Sequence, residues 1–170
     1  MNSRENLVFL GMMGSGKSSI GSLVSKKLNI DFIDVDEQIE KKIGLKISKI
    51  FENEGEKYFR EIEEIETLKL LKNRNTVISL GGGAFLNSKI KKEVLSNHIS
   101  FWLKWDIKTL VGRIKDSKKR PIAHKSTINE IEELIKKRSI IYAKAMYKIE
   151  CENLTKSEIV KKIINIYEAH

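Results

Sequence analysis

The chain has 170 residues, 41% of them hydrophobic, which suits one domain with a full core over residues 1–170 and excludes a disordered chain. Its one cysteine, Cys151, excludes an internal disulfide and fits a reducing, cytoplasmic setting, and no apolar run is long enough to span a membrane. The formal net charge of +9, from 32 Lys and Arg against 23 Asp and Glu, raises the question of a nucleic-acid partner, yet no nucleic-acid motif or aromatic-basic stacking surface accompanies it. A small polyanion would use the basic stretch 104–125 equally well.

The start, MNSRENLVFL, lacks a basic region followed by a signal-length apolar segment, so it leads straight into a buried strand at 7–10. The next stretch, GMMGSGKSS at 11–19, meets the phosphate-loop pattern GxxxxGK[ST] at every fixed position, through Gly11, Gly16, Lys17 and Ser18. Ile20, Leu23, Val24 and Leu28 then recur at helical spacing. Gly11, Gly14 and Gly16 let the backbone turn its N–H groups toward a phosphate, and the following helix adds the positive end of its dipole. Lys17 is expected to reach the outer phosphates, and the Ser18 hydroxyl is expected to ligate Mg2+.

A strand at 30–34 and a polar helix opened by Asp36 follow. Asp34 and Asp36 are two apart, so an extended segment points both carboxylates to the rim where the phosphate loop lies; helix capping is the other account of Asp36. A short amphipathic turn at 47–51 ends at Gly55. A helix at 57–71 then carries Phe59, Ile62, Ile65 and Leu68 as its buried stripe. Arg60 falls off that stripe, and Glu63 and Glu64 could hold it in a surface ion pair.

The strand at 76–80 runs into Gly81, Gly82 and Gly83, which permit close approach of a ligand to the backbone. A helix at 89–95 and a strand at 99–103 complete another crossover, with Trp102 and Trp105 read as packing residues. A helix at 106–114 leads to the polar stretch KDSKKRPIAHKS, which suits a mobile flap closing over phosphates. Thr127 with Glu130 forms a capping box for a helix whose stripe is Ile128, Ile131, Leu134, Ile135 and Ile141, and Arg138 rides on it. A strand near 146–149 and a helix capped by Thr155 and Glu158 close the chain. The fold class is α/β, with strands and helices alternating as in a parallel sheet.

These residues resemble the shikimate kinase family, within the nucleoside monophosphate kinase-like group of phosphate-loop proteins. The likeness runs in order through GMMGSGKSSIG, FIDVD, IFENEGEKYFREIEE, VISLGGGA, KRP and KKRSIIY. It implies a three-layer P-loop NTPase fold, a five-stranded parallel sheet flanked by helices, with an acceptor region at 34–62 and a mobile lid at 113–126. It also implies transfer of the terminal phosphoryl group of ATP, with Mg2+, to the 3-hydroxyl of shikimate, giving shikimate 3-phosphate and ADP on the route to aromatic amino acids.

Carried over by position, the resemblance implies a nucleotide set of Gly14, Ser15, Gly16, Lys17, Ser18 and Ser19. Arg113 would lie near the adenine and Arg120 in the lid over the phosphates. Ser18 would ligate the metal and Asp34 would contact it through water. Asp36 would meet the acceptor's ring hydroxyls, with Lys17 and Arg120 as its catalytic companions. Arg60 and Arg138 would grip the acceptor's carboxylate beside Gly81 and Gly82. The chain departs from the family at Ser19, where threonine is usual, and in IECENLTKSE, which lacks the frequent DT or proline on the adenine side.

Read without the resemblance, a nucleoside monophosphate or gluconate kinase satisfies the same motifs. A nucleotide-switched nucleic-acid binder would instead bind with steep salt dependence. The expectation is a cytoplasmic monomer that binds neither nucleic acid nor membrane.

Overall fold

Five short strands make the frame: β1 (Leu7–Leu10), β2 (Asp31–Asp34), β3 (Thr76–Ser79), β4 (Ile99–Lys104) and β5 (Tyr147–Glu150). The computed structural model describes residues 5–115 and 126–170. The strands pair in the order β2-β3-β1-β4-β5, and every pair is parallel. This is the expected five-stranded sheet. Seven described helices connect and cover it: α1 (Lys17–Leu28), α2 (Val35–Ile43), α3 (Ile47–Leu70), α4 (Ser88–Asn97), α5 (Ile107–Lys115), α6 (Ile128–Tyr142) and α7 (Lys156–Glu168). None of the described helices is long and apolar enough to cross a membrane.

Strand side chains alternate between two buried faces, which is why β1 reads as an unbroken apolar run. Leu7 and Phe9 pack with Ile20 and Val24 of α1 and with Ile159 and Ile163 of α7. Val8 and Leu10 point the other way, into a cluster with Ile39 of α2, Phe59 of α3, Ile90 of α4 and Ile135 of α6. Each fully buried Leu, Ile or Phe contributes roughly 1.5–3 kcal/mol of transfer free energy. The aromatic rings Phe9, Phe101 and Tyr147 stack across β1, β4 and β5, with centroid separations of 5.6 and 5.3 Å.

At the amino ends of the strands, one buried side chain ties three backbone groups. Asn6 Nδ2 donates to Leu71 O at 3.1 Å and to Asn73 O at 2.6 Å, while its Oδ1 accepts from Thr76 N at 3.2 Å. The turn from α3 into β3 is thereby fastened to the start of β1. The carboxyl ends of the strands are left to the loops that carry chemistry.

Two sequence expectations change, and one at Gly55 holds. Ile65 is 61% exposed, and the inner face of α3 instead buries Glu63, Glu66 and Thr67. Glu66 pairs with Lys42 of α2, so the helix is turned to give charged partners its inner side. Ile128 is also exposed, sitting in the first turn of α6 ahead of the face that buries Ile131, Ile135, Arg138 and Tyr142. Gly55 breaks the helical conformation as expected, at φ 82° and ψ 173°, so α3 is two helical pieces that meet at a kink.

Candidate active site

The phosphate loop leaves β1 and enters α1 with Gly14 at φ 82° and Gly16 at φ 86°, the left-handed region that favours glycine. Gly16 is the N-cap of α1 and no side chain caps the helix, so its first N–H groups face the loop's hollow without a protein acceptor from a cap. Lys17 is buried and its Nζ donates to Gly11 O and Met12 O, each at 3.0 Å. The ammonium is thus held over the loop it belongs to. Ser15 lies beneath, fully buried, its hydroxyl without a hydrogen-bond partner among the described residues.

The two aspartates reach the rim by a different route from the extended one expected. β2 passes into α2 without a loop, so Asp34 is the N-cap, its Oδ1 accepting from Glu37 N at 3.2 Å, and Asp36 sits in the first helical turn. The capping role therefore belongs to Asp34. Its other oxygen accepts from the Ser18 hydroxyl, joining α1 to β2. Ser79, the β3 register partner of Asp34, has a buried hydroxyl with no partner among the described residues.

Around Asp36 the charges are crowded. Burial is the largest cause that pushes its carboxyl up to about 6, with the Asp34 and Glu63 carboxylates adding to the rise and Lys17 and Arg60 opposing it. Glu63 is 2% exposed and its carboxyl is also raised, first by burial, against the pull of Arg60 and Arg138. Arg60 Nη1 donates to Glu63 Oε2 at 2.6 Å, and its Nε and Nη2 reach Glu56 Oε1 at 3.3 and 3.2 Å. The guanidinium also lies 5.3 Å from the Phe59 ring centroid and 6.0 Å from that of Phe51. The expected surface ion pair is half-buried, since Glu63 is buried while Arg60 is partly exposed, and Glu64 takes no part in it, bonding Asn87 and Lys89 instead.

The triple glycine is the floor these groups share. A Cβ on Gly81 would come within 2.7 Å of both Asp36 Oδ1 and Glu63 Oε1, and one on Gly83 within 2.5 Å of Arg60 Nη1. Between them, Gly82 O accepts from Arg138 Nη1 at 3.4 Å and from the Tyr142 hydroxyl. Burial pushes that phenol up to about 12, so it stays a donor. Arg138 is buried too, and its Nε has no hydrogen-bond partner among the described residues. That leaves one buried guanidinium donor unsatisfied at the edge of the site.

A cleft of about 850 Å³ gathers the expected residues Gly14, Gly16, Lys17, Ser18, Ser19, Asp34, Asp36, Arg60, Gly82 and Arg138. Ser15 and Gly81 lie beneath its lining. Arg113 stands outside it on α5, stacked on Trp105, and Arg120 lies outside the described residues. Sequence reasoning missed Glu63 and Tyr142 as parts of the site. Glu63 carried a signal, three residues after Arg60; Tyr142 carried one in the spacing 131, 135, 138, 142, which puts Arg138 and Tyr142 on the buried face of α6.

A shikimate kinase family model matches residues 13–168. A shikimate kinase of Thermodesulfovibrio yellowstonii is 42% identical over 166 residues, covering 96% of this chain and 95% of that one. Among solved structures, a shikimate kinase from Acinetobacter baumannii in complex with shikimate superposes with a TM-score of 0.92 at 28% identity, covering 98% of this chain and 94% of that one. One from Aquifex aeolicus gives a TM-score of 0.86 at 39% identity, with 96% of each chain covered.

Proposed function

The chain belongs to the shikimate kinase family, and from that premise we propose the reaction and assign its parts: transfer of the terminal phosphoryl group of ATP to the 3-hydroxyl of shikimate. The products are shikimate 3-phosphate and ADP, and the step belongs to aromatic amino-acid biosynthesis. The observation that carries the reading is the triple glycine, which sets Asp36, Arg60 and Arg138 around one floor beside the phosphate loop.

The acceptor is a small hydroxy acid, and its carboxylate suits Arg60 and Arg138, because planar guanidiniums match two carboxylate oxygens. The unpartnered Nε of Arg138 supports that role. Asp36 is placed to orient the reacting hydroxyl and to take its proton, and a carboxyl near 6 is a better acceptor than an ordinary aspartate while staying mainly ionised at neutral pH.

At the nucleotide end, Gly14 through Ser19 cradle the phosphates with backbone N–H groups, and Lys17 offsets charge on the outer ones. Mg2+ would be held by the Ser18 hydroxyl, with Asp34 reaching it through water. Two adjoining hard oxygen donors, next to the unpartnered Ser79 hydroxyl, fit that ion. When bound, the ion neutralises phosphate charge during transfer. Arg120 is assigned to the same task from the lid, and Arg113 to the adenine side. Transfer of this kind is mainly alignment and charge stabilisation, which these groups supply without a strong base.

We further assign the protein to the cytoplasm as a monomer that binds no nucleic acid. An ADP-release assay with shikimate, gluconate, AMP and CMP tests the function. Turnover with shikimate alone is expected; silence with shikimate beside turnover of another acceptor overturns the assignment. Nucleic-acid binding that falls steeply with salt would overturn the last point.

A further inference from the structure

Trp105 is expected from sequence to be a packing residue, and Trp102 is one, buried against Tyr142 at a ring separation of 6.1 Å. Trp105 behaves differently. It follows the carboxyl end of β4, where it touches the apolar clusters on both faces of the sheet. Its Nε1 donates to Ser15 O of the phosphate loop at 2.9 Å. The Arg113 guanidinium lies over its ring, 3.8 Å from the centroid, and Arg113 Nη1 donates to Gly14 O at 3.3 Å.

An exposed arginine ordinarily samples many rotamers. Here one face of the guanidinium is covered by indole, its edge is tied to the loop, and the residue remains exposed on its other side. The start of α5, which carries Arg113, is itself fixed. Glu152 accepts from Asp106 N at 3.2 Å and from the Thr109 hydroxyl at 3.0 Å, joining α5 to the segment after β5. A flat cation is therefore held at a set position beside two residues of the phosphate loop.

We propose that Trp105 is a positioning residue of the nucleobase end: its indole holds Arg113, assigned above to the adenine side, in one orientation as a platform, and its N–H ties that platform to the phosphate loop. Stacking on a guanidinium held by an indole needs no hydrogen bond to the base edge. The two halves of the nucleotide are thus read by one connected unit, in which Ser15 O and Gly14 O of the phosphate loop accept from Trp105 and Arg113, and Arg113 receives the base. The inference rests on the nucleotide reading above.

Binding of ADP and of inorganic pyrophosphate to the full chain, measured by calorimetry, separates base from phosphates. R113M is expected to weaken ADP about tenfold and pyrophosphate less than about twofold, and W105L, which also loses the donor to Ser15 O, to weaken ADP about tenfold and pyrophosphate about two- to threefold. W105F keeps a ring beneath Arg113 but loses the donor to Ser15 O, so it should weaken both ligands alike, by about two- to threefold.

If W105L does not fold, W105F carries the test, and ADP and pyrophosphate bound by it as tightly as by the natural protein overturn the tie to Ser15 O. ADP bound as tightly by W105L and R113M as by the natural protein overturns the platform, as does equal loss of ADP and pyrophosphate in both. A natural protein that binds pyrophosphate but gains nothing from the adenosine part overturns the platform alone. One that binds neither ligand overturns the nucleotide reading and the platform with it.

Discussion

The two ends of the cleft present their N–H donors by opposite means. At the phosphate end the donors are backbone N–H groups set by glycine dihedrals, with one lysine above them. At the end assigned to the acceptor they are two long guanidiniums braced by other groups: Arg60 by Glu63 and Glu56, and Arg138 by the Gly82 carbonyl that Tyr142 also grips. The contrast teaches that backbone donors are positioned by local sequence, whereas side-chain donors depend on groups brought from distant elements. Damage to the first end should cost rate, and damage to the second should cost acceptor affinity.

The largest break in that contrast is expected from Lys17→Ala. Turnover should fall by about a thousandfold or more, because a positioned cation next to the transferred group is removed. Circular dichroism would confirm that the fold survives the loss of the bonds to Gly11 O and Met12 O. Arg138→Ala should raise the shikimate KM by about a hundredfold with a smaller change in kcat. An unchanged KM would show that the acceptor's carboxylate is held elsewhere.

Glu63→Gln sharpens the comparison, since it removes the brace and leaves the guanidinium. The shikimate KM is expected to rise about tenfold while the KM for ATP stays within about twofold. Equal effects on both substrates would mean that the brace serves the whole cleft.

The smallest effect concerns pH. With the Asp36 carboxyl near 6, kcat/KM for shikimate should rise through about pH 6 and level off above it. The same shift has a stability sign. A carboxyl raised from 3.8 to about 6 binds its proton more tightly in the folded chain, so its contribution is fully present below about pH 4 and is lost as pH rises through 6. Asp36→Asn should therefore raise stability at pH 7.5, on the order of 1–2 kcal/mol, while lowering activity. A melting temperature that falls at pH 7.5 would contradict this.

The order of the elements and the phosphate loop were legible in the sequence because both are local: periodicity marks the strands and helices, and glycines at fixed spacing mark the loop. Both capping boxes, Thr127 with Glu130 and Thr155 with Glu158, lie where the sequence puts them. What stayed hidden is non-local. Hydrophobic spacing assigned Ile65 to the core, while α3 turned Glu63 and Glu66 inward to meet Gly81 and Lys42. Trp105 could not be told from a core residue until α5 laid Arg113 on it. Asp34 and Asp36 reached the expected rim, but a strand running directly into a helix cannot be told from a longer strand by the spacing of two carboxylates.

The Asn6 clamp has its own implication for how this molecule tolerates change. Because it joins three backbone groups at the opposite rim from the phosphate loop, Asn6→Ala should lower the melting temperature yet leave both Michaelis constants untouched in the fraction that remains folded. Robustness and reactivity are lodged at opposite poles of the strands, so each is open to adjustment without negotiating with the other.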